Sequence, residues 1–60
     1  MVTIKMIILM DAEYENVQYE GTHQNFLWAV DERKIIKIYE HNKAIYLNPD
    51  YIMSFELGDE

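Results

Sequence analysis

The sequence predicts an α+β domain: a small antiparallel sheet of four to five strands and one helix, in the order β-β-α-β-β with a possible fifth strand. Two observations lead to this class. Short apolar segments alternate with period two and are separated by polar turns, and one segment after Gly21 carries apolar residues at helical spacing instead. The length of 60 residues allows a single domain over 1–60, and residues 58–60 are expected to fray.

The first two strands are predicted to form an antiparallel hairpin. Residues 2–10 are rich in β-formers, and the segment Asp11-Ala12-Glu13 is a polar break that ends the run. Residues 14–20 then form a second strand whose alternation of apolar and polar side chains is weak. This weak alternation favours a position at the edge of the sheet.

The helix is predicted over residues 23–33, and Thr22 is a favourable N-cap because its hydroxyl can accept from an unpaired amide of the first turn. At 100° per residue, the arc that should face the sheet holds Phe26, Leu27 and Val30, with Ala29 at its margin. Trp28 falls nearly opposite this arc. It is therefore expected to point away from the sheet.

The remaining strands are predicted from two turn signals, one of them an Asn-Pro-Asp sequence that suits a type I turn. In order, the segments are strand 35–40, turn 41–43, strand 44–47, turn 48–50 and strand 51–57. The eight residues 45–52 resemble the strand-bend-strand segments of small bacterial β-rich proteins, including LytTR-type DNA-binding domains. This resemblance implies a turn followed by a returning strand.

Self-association is predicted from the first strand, in which residues 6–10 are apolar at consecutive positions. Neighbouring residues of a strand point to opposite faces, so both faces need cover, and one short helix covers only one. The predicted interface between chains in a dimer or higher assembly consists of Ile7, Leu9, Tyr39, Met53 and Phe55, with Tyr46 adding to the apolar excess. The alternative is a tightly curled small barrel that absorbs this excess inside one chain.

Charge and composition restrict the partners. Eleven acidic residues against five basic ones give a formal charge of −6, which repels nucleic acid and membrane lipids and attracts basic proteins. Solubility alone is the alternative explanation of this charge.

The absence of cysteine excludes disulfides and thiolate metal sites. Without a signal-peptide pattern or a long apolar run, a cytoplasmic location is expected.

No catalytic or cofactor motif stands out. Asp11, Glu13 and Glu15 are spaced two apart, which suits either a solvated loop or the oxygen ligands of a divalent cation. Neither histidine has the spacing of a metal pair, and the single serine lies within a strand. The aromatic residues Tyr39, Tyr46 and Phe55 could form a row that stacks nucleobases, but core or interface packing is the favoured explanation, because the overall negative charge opposes nucleic acid.

The sequence therefore favours a non-enzymatic protein–protein interaction module without a cofactor, which self-associates and docks on a basic partner. Asp11, Glu13, Glu15 and Glu20 would steer association, and Trp28 would supply the desolvated contact. By analogy of size and charge, such a protein suits a bacteriophage or mobile element that inhibits a nucleic-acid-handling enzyme. The alternatives are an oligomeric nucleic-acid-binding protein or metal-assisted DNA nickase, and a purely structural subunit.

Overall fold

The computed structural model describes residues 1–58 and confirms the α+β class. Of the residues expected to fray, Gly58 donates its amide to Thr3 O at 3.0 Å, and 59–60 lie outside the described residues. The elements, in chain order, are β1 (Val2–Leu9), β2 (Glu13–Tyr19), α1 (His23–Asp31), β3 (Ile36–Glu40), β4 (Lys43–Leu47), a 3₁₀ turn (Pro49–Tyr51) and β5 (Ile52–Leu57). All five strands form one antiparallel sheet, so the fifth strand that the sequence left open is present.

Strand β2 lies at the centre of the sheet, in the order β4-β3-β2-β1-β5. The predicted hairpin of β1 and β2 is confirmed, with Val2 opposite Tyr19 and Ile8 opposite Glu13. The prediction that β2 is an edge strand is wrong, because β3 pairs with its end. That pairing is short, however, and involves only Gln18 and Tyr19 of β2.

The sheet is strongly curled. Strands β4 and β5 lie at its two edges, which in a flat sheet would be four spacings, or about 19 Å, apart. The chain passes from Leu47 to Ile52 in five residues, which span at most about 18 Å when fully extended. Three of these residues form the 3₁₀ turn, which shortens the reach further. The two edges must therefore approach each other, although β4 and β5 are not paired.

The core lies on the concave side of the sheet beneath the helix. Its buried residues are Val2, Ile4, Ile7, Leu9, Val17, Phe26, Ala29, Ile36, Ile38 and Leu47. Phe26 is fully buried and meets the rings of Tyr19 and Phe55 edge to face, at centroid distances of 5.3 and 5.1 Å. This geometry is favourable for aromatic pairs and joins the helix to the central strand β2 and to the edge strand β5.

The inward face of the helix differs from the predicted arc. Ala29 is buried, whereas Leu27 is 44% exposed. Phe26 and Ala29 are three residues apart and share one side of a helical turn, while Leu27 is rotated by 100° from Phe26. The large Phe26 ring fills the space above the sheet, and a small residue fits beside it. The prediction for Trp28 is confirmed, because its side chain is 57% exposed.

Both ends of the helix are capped by local hydrogen bonds. The predicted N-cap, Thr22, forms a reciprocal capping box with Asn25, in which each side chain accepts from the other residue's amide. At the other end, Lys34 N donates to Ala29 O at 2.9 Å and Arg33 N donates to Val30 O at 3.2 Å. These bonds form a Schellman motif in which Arg33 occupies the left-handed position with φ 57°. The helix therefore ends before residue 33.

The single chain is compact. Its accessible surface of 4264 Å² is close to the roughly 4,100 Å² expected for a monomer of this mass. Curling buries more of the apolar side chains than a flat sheet under one helix would. The apolar excess that suggested self-association is consequently smaller than the sequence indicates.

Candidate interaction surface

The convex side of the sheet carries no helix, and we refer to it as the open face. Strand pairing and alternation away from the core assign to it Thr3, Met6 and Ile8 of β1, Glu13, Glu15 and Gln18 of β2, Lys37 and Tyr39 of β3, Ala44 and Tyr46 of β4, and Ser54 and Glu56 of β5. Met6 and Ile8 are half-buried even without a covering layer.

Polar contacts organise the open face across the strands. Gln18 Nε2 donates to Thr3 Oγ1 at 3.0 Å, linking β2 to β1. Lys5 Nζ lies 3.4 Å from Glu56 Oε2, linking β1 to β5. Both side chains of this ion pair are largely exposed, so its contribution to stability is small.

Lys37 lies between two tyrosines at the β3–β4 end of the open face. Its Nζ is 5.2 Å from the ring centroid of Tyr39 and 5.8 Å from that of Tyr46. Hydrogen bonding with the Tyr39 side chain raises the pKa of Lys37 above its ordinary value, and the charges of Tyr39, Tyr46 and Glu20 raise it further. Tyr39 Oη also donates to Glu20 Oε2 at 3.0 Å. Lys37 therefore places a cation beside two tyrosine rings on this surface.

The predicted partner-binding residues lie on two sides of the molecule. Glu13 and Glu15 are exposed on the open face, opposite Ile8 and Met6 of β1. Trp28 lies on the outer surface of the helix, which covers the other face. A flat contact cannot include both groups. Of the remaining predicted carboxylates, Asp11 lies in the β1–β2 turn and Glu20 follows β2.

The predicted interface between chains requires a correction. Ile7 and Leu9 are buried within one chain, because they point to the concave side beneath the helix. Phe55 is half-buried against Phe26 on that same side. Tyr39 lies on the open face, and Met53 is 70% exposed, where the register of β5 against β1 shifts. Self-association itself stays a prediction.

The structure also separates the proposed nucleobase-stacking row. Tyr39 and Tyr46 share the open face, but Phe55 belongs to the concave side. Within the described residues, no group of three or more histidine, aspartate or glutamate side chains is placed to hold a metal ion. The spacing of Asp11, Glu13 and Glu15 therefore does not produce a three-carboxylate cluster.

A groove that the sequence did not predict opens between β2 and the β3–β4 turn. It has a volume of about 690 Å³ and is lined by Met1, Glu15, Asn16, Gln18, Tyr39, Glu40, His41 and Asn42. It forms because β3 turns back into β4 before it reaches the first half of β2. The polar turn at 41–43 was visible in the sequence, but its position beside β2 depends on the strand order.

Comparisons with family models, curated proteins and solved structures give no match for this chain. Among the helices of residues 1–58, none has the length and apolar character needed to cross a membrane. The surface itself is therefore the basis for a functional proposal.

Proposed function

We propose that this protein is a non-enzymatic interaction module that docks on a basic partner through the open face. The observation that supports the proposal is a sheet face that no other element of residues 1–58 covers and that combines carboxylates with exposed aromatic side chains. Glu13 and Glu15 project from the first half of β2, and Tyr46 is 66% exposed on the edge strand β4. Aromatic side chains and complementary charges are the features that contact surfaces use.

The charges of the open face favour a cationic partner. Lys5 is paired with Glu56, and Lys37 is held by its two tyrosines near Glu20. Glu13 and Glu15 form no ion pair within the part of the chain that the structure describes. With a net charge of −6 over the chain, these carboxylates attract a basic surface and accelerate its approach.

A nucleic-acid-handling enzyme is the partner class that we favour, because its binding groove is basic and normally holds phosphates. The carboxylates of this protein would take the place of those phosphates. An inhibitor of this kind suits a bacteriophage or mobile element. Trp28, on the helix side, is then available for a separate contact.

Self-association also forms part of the proposal, but through fewer of the predicted interface residues. Tyr46 and Met53 are exposed near the two edges of the sheet, and Met10 is exposed where β1 ends. These side chains can be covered by a second copy, whereas Ile7 and Leu9 take no part. Size exclusion with light scattering should give a mass of about twice 7.2 kDa. A mass of one chain at all concentrations would contradict self-association without affecting docking on a basic partner.

Nucleic-acid binding is the second candidate function, and the Lys37–Tyr39–Tyr46 group is the observation that favours it. Two tyrosines with a cation between them resemble the stacking and charge of single-strand-binding surfaces. The neighbouring carboxylates oppose it, because they repel the phosphate backbone. We therefore rank it below docking on a basic protein.

The kinetics of association test the proposal. A lysine-rich histone tail is the probe, and its on-rate is measured at low and high ionic strength. We expect the on-rate to fall about tenfold or more as salt rises, since screening weakens steering between exposed charges. The double variant Glu13→Gln/Glu15→Gln should slow association, and the matched variant Asp31→Asn/Glu32→Gln on the helix should do so less.

Two results would contradict this ranking. An on-rate that does not change with salt would show that the carboxylates do not steer association. Binding or nicking of DNA that depends on Mg²⁺ and is abolished by Asp11→Ala or Glu13→Ala would favour the nickase alternative instead. Supercoiled and single-stranded DNA, each with and without Mg²⁺, are the substrates for that assay.

A further inference from the structure

The first half of β2 has one unpaired edge. Glu13, Tyr14 and Glu15 pair with β1, but pairing with β3 begins only at Gln18. Within residues 1–58, the backbone groups of 13–16 that face away from β1 therefore have no strand partner. We call residues 13–16 the free segment of β2.

Turn chemistry produces this unpaired edge. His41 and Asn42 have φ values of 50° and 66° and form a two-residue turn of type I′, which ends β3 at Glu40. If the register of Gln18 with Tyr39 continued, His41 would lie opposite Asn16. Asn16 itself has φ 52°, which interrupts the extended backbone at that point. The β3–β4 hairpin and β2 thus separate at the level of Asn16 and His41. The groove of about 690 Å³ lies between them.

An unpaired strand edge is a template for a further strand, and natural proteins usually protect such edges with charge. Glu13 and Glu15 supply that charge here. They repel the same segment of a second copy, whereas an extended basic segment finds both backbone partners and opposite charges. The outer edge of β4 differs, because it begins with Lys43.

We propose that the free segment of β2 binds an extended, lysine- or arginine-rich segment of the partner by strand addition, in line with β3. This inference rests on the proposed function and specifies how the basic partner is held. Backbone hydrogen bonds to residues 13–15, which precede the interruption at Asn16, provide the alignment, and the carboxylates of Glu13 and Glu15 select basic side chains. Tyr39 and Gln18, which line the groove, contact the same segment.

Titration with three synthetic peptides, followed by amide NMR shifts, tests the inference. The first peptide alternates lysine and threonine over eight residues. The second has the same side chains but N-methyl groups on alternate amides, which removes backbone donors without changing charge. The third replaces lysine by glutamine, which keeps the backbone and removes the charge.

We expect the first peptide to bind and to shift the amides of residues 13–16 and 39–42. The N-methylated and glutamine peptides should each bind at least about tenfold more weakly. The Glu13→Gln/Glu15→Gln variant should weaken the first peptide about tenfold, and the control variant Asp31→Asn/Glu32→Gln less than about twofold. Circular dichroism confirms that both variants are folded.

The outcomes separate the two proposals. Equal binding of the first and N-methylated peptides, or shifts confined to β4 or to the helix, would overturn strand addition while leaving docking on a basic partner in place. If none of the basic peptides binds at low salt, the proposed function fails together with this inference.

Discussion

Replacing Phe26 by leucine removes the ring that joins the helix to the sheet, and we expect the protein to lose about 2–3 kcal/mol of stability. A volume-conserving apolar replacement in a core costs up to about 1.5 kcal/mol. The substitution also removes two edge-to-face contacts, with Tyr19 and Phe55 at 5.3 and 5.1 Å, each of which contributes about 0.5–1.5 kcal/mol.

This loss is large for a chain of 60 residues, for which the usual stability per residue gives about 3–9 kcal/mol in total. Urea unfolding followed by far-UV circular dichroism measures it. With a denaturant slope of about 1 kcal/mol per M, the midpoint should fall by about 2–3 M. Phe26→Ala should cost about 3–5 kcal/mol and leave much of the protein unfolded without denaturant.

Trp28→Leu is the matched control, because it also replaces an aromatic residue of the same helix by leucine. Trp28 is 57% exposed, so its loss should cost less than about 1 kcal/mol. Equal midpoints for Phe26→Leu and Trp28→Leu would refute the assignment of the inward helix face. A larger effect of Trp28→Leu would show that the helix packs through its other side.

Three further substitutions test the local structure by the same unfolding assay. Arg33→Gly should stabilise the protein by about 0.5–1 kcal/mol, because glycine accepts the left-handed φ of 57° without steric cost; a lower midpoint would contradict the Schellman motif. Thr22→Ala should cost about 1 kcal/mol through loss of the capping box, and no change in the midpoint would contradict that cap. Asn42→Gly should raise stability by up to about 1 kcal/mol, since the second position of a type I′ turn favours glycine, and destabilisation would count against that turn.

The elements of this fold could be predicted from the sequence because they depend on local signals. The N-cap at Thr22, the exposure of Trp28 and the hairpin of β1 and β2 all follow from residue type and spacing. The burial of Ala29 in place of Leu27 could not be predicted, because it depends on the space that Phe26 leaves above the sheet. Secondary structure is thus encoded locally, while the packing of each face is not.

The candidate site could be predicted only in part. Glu13 and Glu15 were identified as steering carboxylates, and the structure places both on the open face. Their separation from Trp28 and the burial of Ile7 depend on the order of the strands, which the sequence does not reveal. The weak alternation of β2 indicated an edge strand. In the structure only the first half of β2 has an unpaired edge, and its end pairs with β3.

Residue-resolved amide hydrogen exchange of the isolated protein tests the central claim, that β2 is paired on both sides only at its end. We expect the amides of residues 13–16 that point away from β1 to exchange orders of magnitude faster than those of Gln18, Tyr19 and the middle of β1. Uniformly slow exchange from Glu13 to Tyr19 would mean that this edge is already covered, and it would contradict the account.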